Sequence, residues 1–157
     1  MTNTDITIHI KGFCIGSRGF GGWAAIVCHY EDGRETKKRR MSGSAAFTTS
    51  SEMELKAALE GLKAIEPGDT ALVTVRSQGQ YIAKGMNEWI ENWQANGWRT
   101  SGRKPVEHMD RWKELLSVSS GLSTRWEWER AHSGDKQSRE AFALAQNAAI
   151  RGAQECV

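Results

Sequence analysis

A strong excess of either charge is missing from this sequence. Twenty-one Lys and Arg stand against 19 Asp and Glu, a formal net charge of +2, which is too small to argue for a nucleic-acid partner by itself. No apolar run approaches the roughly 20 residues of a membrane-spanning helix. Cysteine is scarce: Cys14, Cys28 and Cys156 are an odd number without metal-like spacing. Cys14 and Cys28 lie in apolar, strand-like segments and read as buried thiols, which points to a reduced, cytoplasmic protein. Met1 to Asp5 are polar and lead directly into a strand, which predicts no signal peptide. Repeats, low-complexity tracts and linkers are absent, so residues 1–157 are expected to form one domain with a real core. Gly16-Ser17-Arg18-Gly19-Phe20-Gly21-Gly22 reads as a glycine-rich turn. It is not a Walker loop, because no Gly-Lys-Ser/Thr follows, and it lacks the strand–turn–helix setting of a dinucleotide site.

What is present is a clear alternation of element types. Ile6, Ile8 and Ile10 alternate with Thr7, His9 and Lys11, the period of a strand. Trp23 to Tyr30 predicts a second strand, Asp32-Gly33 a hairpin turn, and Glu35 to Ser42 a third strand. A helix is predicted from about Ser51 to Ile65, with Leu55, Ala58, Leu59 and Leu62 on one face. Hydroxyl residues Thr48 to Ser51 precede it, and two capping boxes are possible, Thr49 with Glu52 and Ser51 with Glu54. Glu54 reads as a first-turn acid, either a simple cap or a functional carboxylate. Ala71 to Val75 predicts a buried strand reached by a crossover, Gln80 to Gly85 a helical stretch, Arg125 to Glu129 a last strand, and Ser138 to Arg151 a last helix. Strands followed by alternating helices and strands describe a mixed α/β sheet with a hairpin edge.

Two stretches carry charge or rings in unusual density. Lys37-Lys38-Arg39-Arg40 reads either as a solvated edge strand guarded by charge or as a phosphate-facing patch. Such a run is not expected to alternate in and out of a core. Asn87 to Leu116 holds Trp89, Trp93, Trp98 and Trp112, four of the seven tryptophans. Cations interleaved with rings suit a nucleic-acid backbone, while large rings also serve packing in a small helical hairpin.

Taken together the landmarks resemble type 1 ribonuclease H over nearly the whole chain. They include Gly12-Phe13-Cys14-Ile15-Gly16, Thr48-Thr49 with Met53-Glu54-Leu55, Gln80-Tyr81 and Trp89-Ile90-Glu91-Asn92-Trp93. Gly97-Trp98, Lys104-Pro105-Val106, Asp110-Arg111-Trp112, Trp126-Glu127-Trp128 and His132-Ser133-Gly134 complete the set. The resemblance implies a five-stranded mixed sheet with three N-terminal antiparallel strands, helices on both faces and a helical protrusion that grips a DNA–RNA hybrid.

The family is expected to cut the RNA strand with two metal ions, usually magnesium, held by four carboxylates and assisted by a histidine. Position by position, the first-strand Asp is Lys11, the helix Glu is retained as Glu54, the fourth-strand Asp is Gln78, and the last-helix Asp is Phe142. The histidine is retained as His132. One carboxylate of four survives. A divalent ion about 4 Å from the Lys11 ammonium would meet a repulsion of roughly 8 kcal/mol at an effective dielectric of about 20. The expectation is therefore no metal, with Lys11 paired to Glu54 as a fixed cation. Asp5, Glu52, Asp135 and Glu140 are the candidates for a relocated ligand.

The binding positions match better than the chemistry. Gln80, Trp89, Trp93, Lys104 and Trp112 fall where the family contacts or supports the hybrid, and Lys84, Arg99 and Thr49 are further candidates for nucleic-acid contact. Ser17, Ser50 and Ser51 stand where it has groove-reading asparagines. Gln94-Ala95-Asn96 and Glu107 dilute the basic protrusion, which should lower hybrid affinity, and the Lys37–Arg40 run offers another phosphate track. Three readings follow. One is a catalytically inactive ribonuclease H-like protein that binds DNA, RNA or hybrid in a regulatory or accessory role, with no cofactor and no membrane. A second is a protein-interaction module. A third is an active hybrid endoribonuclease with a rebuilt site, the only reading that calls for magnesium.

Overall fold

The computed structural model describes residues 4–66, 71–129 and 135–155. Five strands, β1 (Thr4–Cys14), β2 (Gly19–Glu31), β3 (Arg34–Thr48), β4 (Leu72–Ser77) and β5 (Ser123–Trp128), form one sheet in the order β3-β2-β1-β4-β5. The first three are antiparallel. β4 runs parallel to β1 and β5 parallel to β4, so the expected mixed sheet is present. The β1 alternation sorts its side chains. Ile6, Ile8 and Ile10 join the core under α1 (Ser50–Lys63), with Val73 and Val75 of β4. Thr7, His9 and Lys11 lie on the opposite face, in register with Cys28, Ile26 and Ala24, which pack against α5 (Lys136–Glu155).

The stripe of α1 is buried as its spacing predicts, with Leu55, Ala58, Leu59 and Leu62 all at 1% exposure or less. Of the two capping boxes only half of one forms. Thr49 Oγ1 accepts from Glu52 N at 3.1 Å, while the Glu52 carboxylate takes the Thr48 hydroxyl at 2.9 Å. Ser51 is already helical, so Glu52, and not Glu54, is the first-turn acid. β2 begins at Gly19, ahead of the predicted Trp23. Gly21 and Gly22 therefore lie in a strand and not in a turn. The reason is α5, whose Ala141, Ala145 and Ala149 pack closely on the sheet. A Cβ on Gly22 would sit 2.0 Å from the Ala145 carbonyl oxygen.

Asp32 and Gly33 take the left-handed turn predicted for them. The predicted protrusion is a continuous helical rod. α2 (Tyr81–Lys84) passes through a π-helical turn (Gly85–Trp89) into α3 (Ile90–Ala95), and α4 (Met109–Ser119) returns. Cys28 is fully buried, and burial pushes its thiol up to about 11, while Cys14 is only half-buried, with Sγ 3.2 Å from the Thr48 carbonyl oxygen. Cys156 and His132 lie outside the described residues. Among those described, no helix is long and apolar enough to cross a membrane.

Candidate functional site

Three segments meet at one end of the sheet: Lys11 to Cys14 of β1, Ser77 of β4 and the start of α1. Gly12 allows the meeting. A Cβ there would lie 2.3 Å from the Ser50 carbonyl oxygen and 2.4 Å from Glu54 N, backbone atoms that have no room to yield. The close crossing turns Glu54 toward β4, where its Oε1 accepts a hydrogen bond from Ser77 Oγ. Burial pushes the Glu54 carboxyl above its ordinary range, and the Ser77 hydrogen bond and the Lys11 charge oppose that shift.

Lys11 leaves β1 on the α5 face. Its Nζ stands 5.4 Å from the centroid of the Phe142 ring, a cation–π distance. That ring in turn meets Phe13 edge-on, with centroids 6.0 Å apart. Lys11, Ser50, Glu54, Ser77, Gly79 and Phe142 help to wall a cavity of about 270 Å³. The expected Lys11–Glu54 ion pair does not form. Glu54 enters from the α1 face, Lys11 points to the α5 face, and the aromatic ring takes the ammonium.

This donor set does not fit two hard divalent ions, which need several carboxylate oxygens. Among the described residues the cavity wall holds one carboxylate, Glu54. Gln78 is absent from the cavity wall, and its backbone carbonyl accepts from Trp128 Nε1 at 3.0 Å. The relocated candidates do not supply the difference. Glu140 faces β3, where it bonds Lys38 Nζ at 2.8 Å and Arg40 Nε, and Glu52 is held by Thr48. Asp135 does join a cluster that the sequence reading missed. With buried His9 and Glu129 it gathers ligand-type atoms within 4.8 Å of one another. The Arg76 guanidinium already stands among them, 3.4 Å from Asp135, 3.7 Å from Glu129 and 3.6 Å from Glu127, so the repulsion argued for Lys11 applies here too. Ser138 Oγ donates to Glu129 at 2.6 Å, and the cluster ties the start of α5 to the sheet. The alternation of β1 placed His9 on the Lys11 face. Nothing in the sequence announced which side chains would meet it.

The positions matched to hybrid binding fall into separate groups. Ser17 and Ser50 are exposed, Ser51 is half-buried, and Thr49 is committed to its cap. Gln80 and Lys84 share a groove of about 490 Å³ with Trp128. Trp89, Trp93 and Arg99 share another, and Lys104 is exposed nearby, preceding the Pro105 that bridges to Arg99. Trp93 packs at 5.8 Å from Trp89 and 5.2 Å from Trp112. Trp112 itself is fully buried, with Nε1 bonded to the Tyr81 hydroxyl at 3.3 Å, so it supports the face without touching a ligand. The cation run lies on β3, an edge strand of the sheet, and none of its four side chains enters the core, as the solvated-edge reading expects. Lys38 and Arg40 turn to Glu140, and Lys37 and Arg39 are exposed on the other side of the strand. The pleat divides the patch in two.

Comparison with known proteins agrees with this architecture. The family described as RNase H matches residues 3–150. Ribonuclease H of Wolbachia sp. subsp. Drosophila simulans (strain wRi) is 39% identical over 150 residues, covering 96% of this chain and 99% of that protein. Ribonuclease H of Pelobacter propionicus is 38% identical over 154 residues, covering 97% and 90%. Among solved structures, LC9-RNase H1, a type 1 RNase H with the type 2 active-site motif, superposes with a TM-score of 0.81 at 28% identity, over 94% of this chain and 72% of that one. A foamy viral protease-reverse transcriptase in complex with RNA/DNA hybrid shares the fold, with a TM-score of 0.68 at 16% identity over 93% of this chain and 20% of that one. By sequence match and by fold alike, the chain belongs to the ribonuclease H family.

Proposed function

We propose that this chain is a single-domain, cytoplasmic member of the ribonuclease H family that binds nucleic acid, whether DNA, RNA or their hybrid, in a regulatory or accessory role without cutting it by metal-dependent hydrolysis. The observation that carries the reading is the Lys11 ammonium seated over the Phe142 ring in a cavity with one carboxylate, Glu54. A fixed cation and an aromatic ring there oppose divalent ions by several kcal/mol, on the order of the 8 kcal/mol Coulomb figure. Binding is supported by the exposed Arg99 and Lys104 beside the Trp89–Trp93 face, and by a structural relative solved with an RNA/DNA hybrid.

The test combines gel shifts at two salt concentrations with a hybrid-cleavage assay in magnesium and in manganese. Retarded complexes that weaken with salt, and no cleavage in either metal, are expected. Cleavage that stops in Glu54→Gln would establish instead the hydrolase with a rebuilt site, which the naming of the relatives as Ribonuclease H favours. Absence of any complex at low salt would leave the protein-interaction reading.

A further inference from the structure

We infer that the cavity beside Lys11 is an anion seat, which takes one phosphate group directly on the lysine ammonium with no metal ion between them. The inference rests on the nucleic-acid reading above for its source of phosphate, a strand backbone, and the same chemistry would accept free phosphate.

Several features of the cavity point this way. The cavity, at about 270 Å³, is roomy for a phosphate. The Lys11 cation is held in place: the Phe142 ring lies under the Lys11 Nζ, and Phe13 backs that ring edge-on. Among the described residues no carboxylate pairs with that ammonium, so its charge is available to a ligand. Among the described residues of the wall the acid is Glu54, whose carboxylate is engaged by the Ser77 hydroxyl. Ser50, exposed at the start of α1, also borders the cavity, and its hydroxyl can donate to a phosphate oxygen. The positive end of the 14-residue helix α1 adds to the field of the lysine there. A pocket walled for cations would gather acids around its centre; this one gathers a lysine, two hydroxyls and a single restrained carboxyl.

The sign of the pocket is testable with the full chain. Binding of a fluorescent 12-base-pair DNA–RNA hybrid is followed by anisotropy across a salt series, once in EDTA and once in magnesium. Inorganic phosphate is titrated separately while the Lys11 and Ser50 amide resonances are watched by NMR. Hybrid affinity is expected to be equal in EDTA and in magnesium. Lys11→Gln should weaken it about tenfold, as for a hydrogen bond to a charged group, and lower the salt slope by about one. Lys11→Arg should retain the slope. Glu54→Gln should tighten binding, the opposite of what a metal ligand would do. Phosphate should shift both resonances in the wild type. Affinity that needs magnesium, a Lys11→Gln protein with wild-type affinity and slope, or weaker binding by Glu54→Gln would each overturn the seat while leaving nucleic-acid binding intact. A wild type that ignores the hybrid but shifts with phosphate would overturn the nucleic-acid reading and keep the seat for free phosphate. Should Lys11→Gln fail to fold, the wild-type phosphate titration and Glu54→Gln still decide.

Discussion

The Glu54 carboxyl is drawn out of water between the start of α1 and the end of β4, and burial raises its pKa above the ordinary value. The folded protein thus holds that proton more tightly than the unfolded chain. Stability from this group rises as pH falls through the raised value and is fully present below the unfolded value of about 4.3. Above the raised value it is lost. Glu54→Gln mimics the neutral form, so its melting temperature should exceed that of wild type at pH 7 and approach it at pH 4. His9 acts in the other sense. Burial lowers its pKa, with Asp135, Arg76, Glu129 and Lys38 facing it, and its Nδ1 is buried without a hydrogen-bond partner. The unfolded chain binds that proton more readily, so stability falls as pH drops below about 6.5. His9→Leu should remove that slope between about pH 5 and 7 and, by deleting an unsatisfied buried polar atom, stabilise by about 1 kcal/mol; urea melts across pH would measure both. The correspondence of Lys11 to the family's first-strand Asp was legible because flanking motifs fix its register, and that of Phe142 came from its spacing after His132. Their contact with each other was not, because it depends on which face of β1 each partner approaches.

At the level of elements, helix stripes were easier to read than charge runs. The α1 stripe follows from spacing alone, since one helix face packs on one sheet. The Lys37–Arg40 run was legible as a charged edge strand, but its pairing with Glu140 was not, because that carboxylate lies 100 residues or more away along the chain and the strand pleat separates neighbours that composition counts together. The rod from Tyr81 to Ala95 adds a second lesson. Its π-helical turn begins at Gly85, where a Cβ would meet the Trp112 ring at 2.1, 2.6 and 2.8 Å. Ala in a helix interior gains about 1 kcal/mol over Gly in propensity, but overpacking against a ring with 0% exposure costs about 1–3 kcal/mol. Gly85→Ala should therefore destabilise by up to about 2 kcal/mol, and the tryptophan fluorescence should change as Trp112 is displaced against Trp93. An unchanged or higher melting temperature would mean the rod shifts freely and does not depend on that glycine.

Over the whole molecule the sheet is far more informative about ancestry than about chemistry. The mixed sheet, the crossover and the protrusion were all expected from short motifs, and all are family traits that many activities can share. In the proposed reading the loss of cleavage rests on three side chains, and their joint replacement can be reversed. Lys11→Asp removes the fixed cation, Phe142→Asp replaces a ring that is 38% exposed and so is not core, and Gln78→Asp changes a half-buried residue at the end of β4. With native Glu54 the triple variant would carry the four carboxylates that two divalent ions need. Residues that act as a unit do not contribute separately, so single and double variants should stay inactive. Lys11→Asp alone should also bind hybrid more weakly than wild type. The triple variant should cleave the RNA strand of a hybrid in manganese or magnesium, and adding Glu54→Gln should abolish the cleavage. If the triple variant melts cooperatively and binds hybrid, yet leaves it intact in both metals, then the proposed inactivity does not come from Lys11, Gln78 and Phe142 alone.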